Sequence, residues 1–98
     1  MLRVVFFGIH QIGVEALNSL LDTDCLIEAV VTKPGTAEYP QQVEQVAVNH
    51  GLSVHAPMSP KDPSLQQTLE GLRPDLIVVG GYHRVLPKEL LDIPPLGA

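Results

Sequence analysis

Ninety-eight residues, 45% of them hydrophobic and 4% aromatic, make one domain with a thin margin of stability, because a chain of this size buries about two-thirds of its unfolded surface. The formal charge of −5, with Lys and Arg scattered, supplies no basic stripe to neutralise phosphates, so direct nucleic-acid binding by this segment is not expected. The apolar start Val4-Val5-Phe6-Phe7 is too short for a membrane span, and a single cysteine, Cys25, excludes an internal disulfide; both suit a cytoplasmic protein with no membrane partner.

Leu2 to Phe7 is an apolar, β-branched and aromatic run closed by Gly8, the pattern of a buried strand. The period then changes. Ile12, Ala16, Leu17, Leu20 and Leu21 fall on one helical face, and a helix beginning near Gly13 offers free N–H groups to an anion. Cys25 is expected to pack between that helix and the next strand, Leu26 to Thr32, which Lys33-Pro34-Gly35 ends. Val43, Val46, Ala47 and His50 recur at helical spacing, with Gly51 as the stop signal. Leu52 to Ala56 makes a short third strand.

Asp62-Pro63 supplies an N-cap and a first-turn proline for a helix whose inward face is Leu65, Leu69 and Leu72, ended by Arg73-Pro74. Leu76-Ile77-Val78-Val79 reads as a fourth strand, buried on both faces and closed by Gly80-Gly81. Lys88 to Asp92 can form one helical turn after Pro87, and Pro94-Pro95 breaks it. Strands alternating with helices predict a Rossmann-like, doubly wound α/β fold with a parallel sheet in the order 3-2-1-4. In that order the fourth strand is an unprotected apolar edge, so either the chain is truncated or the edge pairs with a partner, for example in a homodimer.

Ligands in such sheets bind beyond the carboxyl ends of the strands at the switch point, here between the first and fourth. The topology therefore predicts that His10, His83 and Arg84 meet. The loop Gly8-Ile9-His10-Gln11-Ile12-Gly13 departs from the dinucleotide fingerprint, since His10 stands where backbone must approach a pyrophosphate. Thr32-Lys33 also replaces the acid that ribose recognition needs. No Cys or carboxylate stands at metal-ligand spacing from His10 or His83, and His50 is placed to cap its helix. Gly80-Gly81 leaves room for a ligand or another backbone.

Several segments, in order and at their spacings, resemble the folate-dependent formyltransferases, including the methionyl-tRNA and sugar-nucleotide branches. They are Arg3-Val4-Val5-Phe6-Phe7-Gly8, Ala16-Leu17-Asn18-Ser19-Leu20-Leu21, Ala29-Val30-Val31-Thr32-Lys33-Pro34 and His50-Gly51-Leu52-Ser53-Val54. The strongest are Arg73-Pro74-Asp75-Leu76-Ile77-Val78-Val79, Leu86-Pro87-Lys88-Glu89-Leu90-Leu91 and Pro94-Pro95-Leu96-Gly97. The resemblance implies transfer of a formyl group from 10-formyltetrahydrofolate to a primary amine. It implies that Gly80, Gly81, His83, Arg84, Val85, Leu86 and Pro87 border the folate, and that Ile9, His10 and Gln11 face the amine. The family's catalytic Asn-x-His motif follows the Pro-Leu-Gly segment and its Asp lies further on. The resemblance therefore assigns no catalytic residue here, and residues 1–98 read as a truncated amino-terminal part of the domain, inactive alone.

For the acceptor it leaves an amino-sugar nucleotide or methionyl-tRNA. Gly35 to Tyr39 is short and uncharged apart from Glu38, unlike the basic loop of the tRNA branch, which favours the sugar. The alternative function is a non-catalytic folate- or nucleotide-binding module that dimerises through its edge strand.

Overall fold

A computed structural model describes residues 1–36 and 41–98. Four parallel strands, β1 (Arg3–Gly8), β2 (Leu26–Val31), β3 (Val54–His55) and β4 (Leu76–Gly80), form one sheet in the order β3-β2-β1-β4, as the alternation of elements predicts. Helices α1 (His10–Leu21), α2 (Gln42–Asn49), α3 (Pro63–Leu72) and the single turn α4 (Lys88–Leu91) connect and cover them.

Alternation along β1 divides the core. Phe6 turns to one face with Ile27 and Val30, where Leu17 of α1 and Val43 and Ala47 of α2 cover it. Val5 and Phe7 turn to the other face with Ala29, Val31 and Ile77, under Leu65 and Leu69 of α3 and Leu86 and Leu90. The result is a three-layer α/β/α domain with apolar β-branched residues at its centre.

Local chemistry explains the helix ends. Asp62 Oδ1 accepts a 2.9 Å hydrogen bond from Ser64 N–H, Pro63 opens α3, and Arg73 closes it in a left-handed conformation. His50 closes α2 by a 2.9 Å contact between Nδ1 and the Val46 carbonyl, the capping role read from its position. Cys25 is half-buried against the α1–α2 side of the sheet, with its sulfur 2.9 Å from Thr23 Oγ1.

Four expectations change. Strand β3 is two residues long rather than five. Ile12 does not join the inward face of α1 and is 67% exposed. Strand β4 is not buried on both faces: Ile77 is, but Val79 is 48% exposed, because it borders the sheet and only one turn of helix follows it. Nor is its edge wholly bare, since Leu96 N–H donates to the Asp75 carbonyl at 3.1 Å and Ile77 N–H donates to Gly97 at 2.9 Å. These bonds satisfy edge groups over the first part of the strand.

The amino ends of the strands are stitched together. Arg3 pairs with Glu28 on β2 at 2.8 Å, its guanidinium also donates to the Leu72 carbonyl at the end of α3, and its backbone N–H donates to Asp75 Oδ2 at 2.9 Å.

Candidate functional site

At the opposite end, the carboxyl ends of the strands, the loops leaving β1 and β4 stand side by side because Gly8 pairs with Gly80 in the parallel register. The β1 loop turns sharply into α1. Ile9 is buried and extended, His10 is exposed at φ 56°, and Gln11 is exposed. A non-glycine residue in the left-handed region is uncommon and strained, although His tolerates it better than most. The backbone therefore adopts a conformation suited to the fingerprint's middle glycine and adds an imidazole there.

The turn is held from outside. Gln41, almost fully buried just before α2, accepts a 2.8 Å hydrogen bond from His10 N–H through Oε1, so a side chain from another element caps α1. Gly13 N–H already donates to the Ile9 carbonyl at 2.9 Å and offers nothing to an anion, because the helix begins three residues earlier than its apolar pattern suggests. Thr32, at the end of β2, is fully buried with its hydroxyl unpartnered.

The β4 loop builds an aromatic ladder. Tyr82 meets Phe7 edge-on with ring centroids 5.3 Å apart, and His83 packs on Tyr82 at 4.7 Å. Burial pushes the Tyr82 phenol above its ordinary range against a smaller opposing effect of Arg84, and its hydroxyl is buried without a hydrogen-bond partner. Val85 is 91% exposed, whereas Leu86 is buried in the core and Pro87 caps α4.

The glycines after β4 do not leave open space. A Cβ on Gly80 would lie 2.5 Å from the Ala16 Cβ, and one on Gly81, at φ 78°, would lie 2.7 Å from Ile12 Cγ2. Of the two neighbours that sequence reasoning allowed, a ligand or another part of the backbone, helix α1 is the one that approaches here.

The loops that carry His10 and the pair His83-Arg84 lie side by side, as the topology predicts, and the β2 loop brings Lys33 to the same end of the sheet. Partial burial lowers the affinity of His83 for its proton, and the positive charges of Arg84, Lys33 and His10, in that order, lower it further. Among the described residues, neither Lys33 nor Arg84 has an ion-pair partner. Sequence reasoning noticed Lys33 only as a missing acid and passed over Gln41 and the Tyr82 hydroxyl. The strand order is the signal that could have brought Lys33 to this end of the sheet, whereas no local pattern marks Gln41. Of the loop read as short and uncharged apart from Glu38, Ala37 to Tyr39 lies outside the described residues.

Among the described residues no cluster of His, Cys, Asp and Glu could hold a metal ion, and no helix is long and apolar enough to cross a membrane. A concavity of about 520 Å³ bordered by Glu70, Arg73, Asp75, Glu89 and Asp92 lies at the amino end of β4, away from this crevice.

Comparisons with known proteins converge on one family. The model described as "Formyl transferase" matches residues 2–98. Methionyl-tRNA formyltransferase of Pseudomonas syringae pv. syringae (strain B728a) is 41% identical over 102 residues, covering 98% of this chain and 32% of that protein. The protein of the same name from Trichlorobacter lovleyi (strain ATCC BAA-1151 / DSM 17278 / SZ) is 37% identical over 101 residues, covering 97% and 32%. A crystal structure of phosphoribosylglycinamide formyltransferase from Bacillus Halodurans superposes with a TM-score of 0.65 at 25% identity, covering 91% of this chain and 50% of that one. The chain thus spans about a third of the length of the curated relatives it matches.

Proposed function

The chain belongs to the formyl transferase family, and from that premise we propose that it forms the folate-side part of an enzyme moving a formyl group from 10-formyltetrahydrofolate to a primary amine. The observation that carries this reading is the family match over residues 2–98 together with the adjacency of the β1 and β4 loops at the carboxyl ends of the strands.

The residues present fit a folate. Val79 and Val85 offer exposed apolar surface to a flat ring. When bound, the folate supplies the formyl group. The chain's own share is to bind and orient. Tyr82, His83, Arg84 and Val85 border the donor, and the backbone of Leu86 and Pro87 shapes that wall. Gly80 and Gly81 support it by letting α1 approach. His10 and Gln11 face the acceptor, with Ile9 anchoring their turn in the core. No Asn-x-His sequence occurs in the 98 residues, so this reading gives them binding and no proton transfer.

The acceptor is methionyl-tRNA or an amino-sugar nucleotide. The names of the relatives favour the former, and the short stretch from Gly35 to Tyr39, which carries no basic residue, favours the latter. A cytoplasmic setting agrees with the single cysteine.

Calorimetric titration with 5-formyltetrahydrofolate tests the folate pocket. Saturable binding, weakened by Val85→Asp, is the expected result. Absence of binding by a chain shown to be folded removes the folate from the site.

A further inference from the structure

Helix α1 starts on a residue that cannot cap it. Ile9 stands at its N-cap position, buried in the core, and makes no side-chain bond to the first turn. Helix α3 shows the ordinary solution, in which Asp62 accepts from Ser64 N–H of its own helix. In α1 the acceptor is imported, since Gln41 Oε1 takes the His10 N–H at 2.8 Å across 31 residues of sequence. Gln41 itself occupies the N-cap position of α2, yet its side chain makes no capping bond there. A polar side chain only 4% exposed is thus withheld from its own helix and given to the turn of another.

A second contact supports the first. A Cβ on Gly13 would lie 2.8 Å from Val43 Cγ2 and 3.0 Å from the Gly8 carbonyl carbon, so only a glycine lets α2 come this close. The start of α2 therefore grips the first turn of α1 at two points, one polar and one apolar. Within that turn His10 is exposed at φ 56°, a conformation that a non-glycine residue keeps only where its surroundings over-determine it. With no side-chain cap from Ile9, the bond to Gln41 is what fixes the His10 amide.

We propose that Gln41 is a positioning residue for formyl transfer: by holding the left-handed turn at His10, it keeps His10 and Gln11 where the acceptor amine docks. Gln41 is itself buried and acts through His10 alone. The inference rests on the reading that His10 and Gln11 face the acceptor, and it makes the start of α2 part of acceptor recognition.

Two variants of similar size separate positioning from capping. Gln41→Met keeps the length of the side chain and removes the acceptor atom, whereas Gln41→Glu keeps an acceptor oxygen. NMR of the intact chain reads the three-bond N–H/Hα coupling of His10, which reports φ, while UDP-glucosamine and methionyl-tRNA are titrated as acceptor probes. The parent and Gln41→Glu should hold the left-handed φ and bind the same probe alike. Gln41→Met should average its φ and bind about five-fold more weakly, the population shift that loss of one ordinary hydrogen bond produces in a two-state turn. Asp62→Ala, which removes the cap of α3, is the control for lost stability and should leave both readings unchanged. Unchanged strand amide signals verify folding in each variant. A Gln41→Met chain with the φ and affinity of the parent overturns the proposal, as does an equal loss of affinity in Asp62→Ala. Loss of φ in Gln41→Met with acceptor affinity unchanged also overturns it, because the bond then serves the fold alone. A parent that binds neither probe overturns the acceptor reading and the proposal with it, a failure that the parent titration alone identifies.

Discussion

Substituting Gly80 by Ala separates two explanations of the same residue, room for a ligand and room for a helix. The added methyl would lie 2.5 Å from the Ala16 Cβ and 3.1 Å from the Phe6 ring, so α1 must move away from the sheet or the strand must bend. Overpacking of this kind costs about 1–3 kcal/mol. Against a total stability of about 5–15 kcal/mol for a domain of this length, that is a sizeable loss, equivalent to about 4–8 °C in Tm for each kcal/mol. Gly71, near the end of α3, is the matched control. Nothing lies within 4 Å of a Cβ there, and Gly71→Ala should stabilise by about 0.5–1 kcal/mol through helix propensity.

Ala16→Gly alone should cost about 1 kcal/mol because glycine is a poor helix former. Combined with Gly80→Ala it removes the shorter of the two contacts and leaves the Phe6 ring, so the double variant should lose about 1 kcal/mol less than the sum of the single changes. Urea denaturation of the four proteins, read as midpoints at constant slope, supplies the cycle. Additive losses, or a Gly80→Ala chain as stable as the parent but unable to bind folate, would refute the packing argument and return Gly80 to the ligand.

Gln41→Ala removes the acceptor of His10 N–H and should destabilise by about 0.5–1.5 kcal/mol, the net contribution of a typical hydrogen bond, because water can reach the exposed His10; amide exchange at His10 should rise more than the global loss explains. Asp62→Ala deletes the N-cap of α3 and should cost about 0.5–2 kcal/mol in denaturant unfolding, with Asp62→Asn recovering most of it. His83 should titrate below 6.5 because of burial first and the charges of Arg84, Lys33 and His10 second, and NMR of Arg84→Gln should show the midpoint moving back up. With the folded midpoint depressed, the unfolded chain takes up this proton first. The linked stabilisation is therefore present above pH 6.5 and lost as pH falls through the folded midpoint; an unchanged midpoint in Arg84→Gln refutes the charge contribution.

Much of the architecture could be read from residue patterns. The apolar runs at Val4–Phe7 and Val30–Val31, and the Leu65–Leu69–Leu72 stripe, each have one solution for burying their surface, and short crossovers then dictate the strand order. What escaped were features set by distant partners. Ile12 belongs to an apolar stripe yet stays exposed, because where α1 sits is set by its close approach to Gly80 and Gly81, which no stripe records. Only Val54 and His55 pair with β2 as a strand, although the Ser53 carbonyl accepts from Val30 N–H at 2.8 Å, and no local period records where that pairing stops. In the site, the meeting of His10 and His83 followed from topology, whereas Gln41 joined it through a contact between residues 31 apart in sequence. The glycines were correctly seen as places of close approach, but which neighbour approached was a tertiary question.

The stitching by Arg3 at the amino ends of the strands also determines how the domain yields. Its guanidinium and backbone tie β1 to β2, to the end of α3 and to Asp75, and the Leu96-Gly97 segment fastens the adjacent stretch of β4. At the other end the hold on the β1 turn is a hydrogen bond from His10 to Gln41. Local opening therefore starts where the loops converge and runs down toward the anchored end, like a book held at the spine. Loops that part there leave the register of the sheet intact, so the less anchored end of the domain is the one expected to adapt.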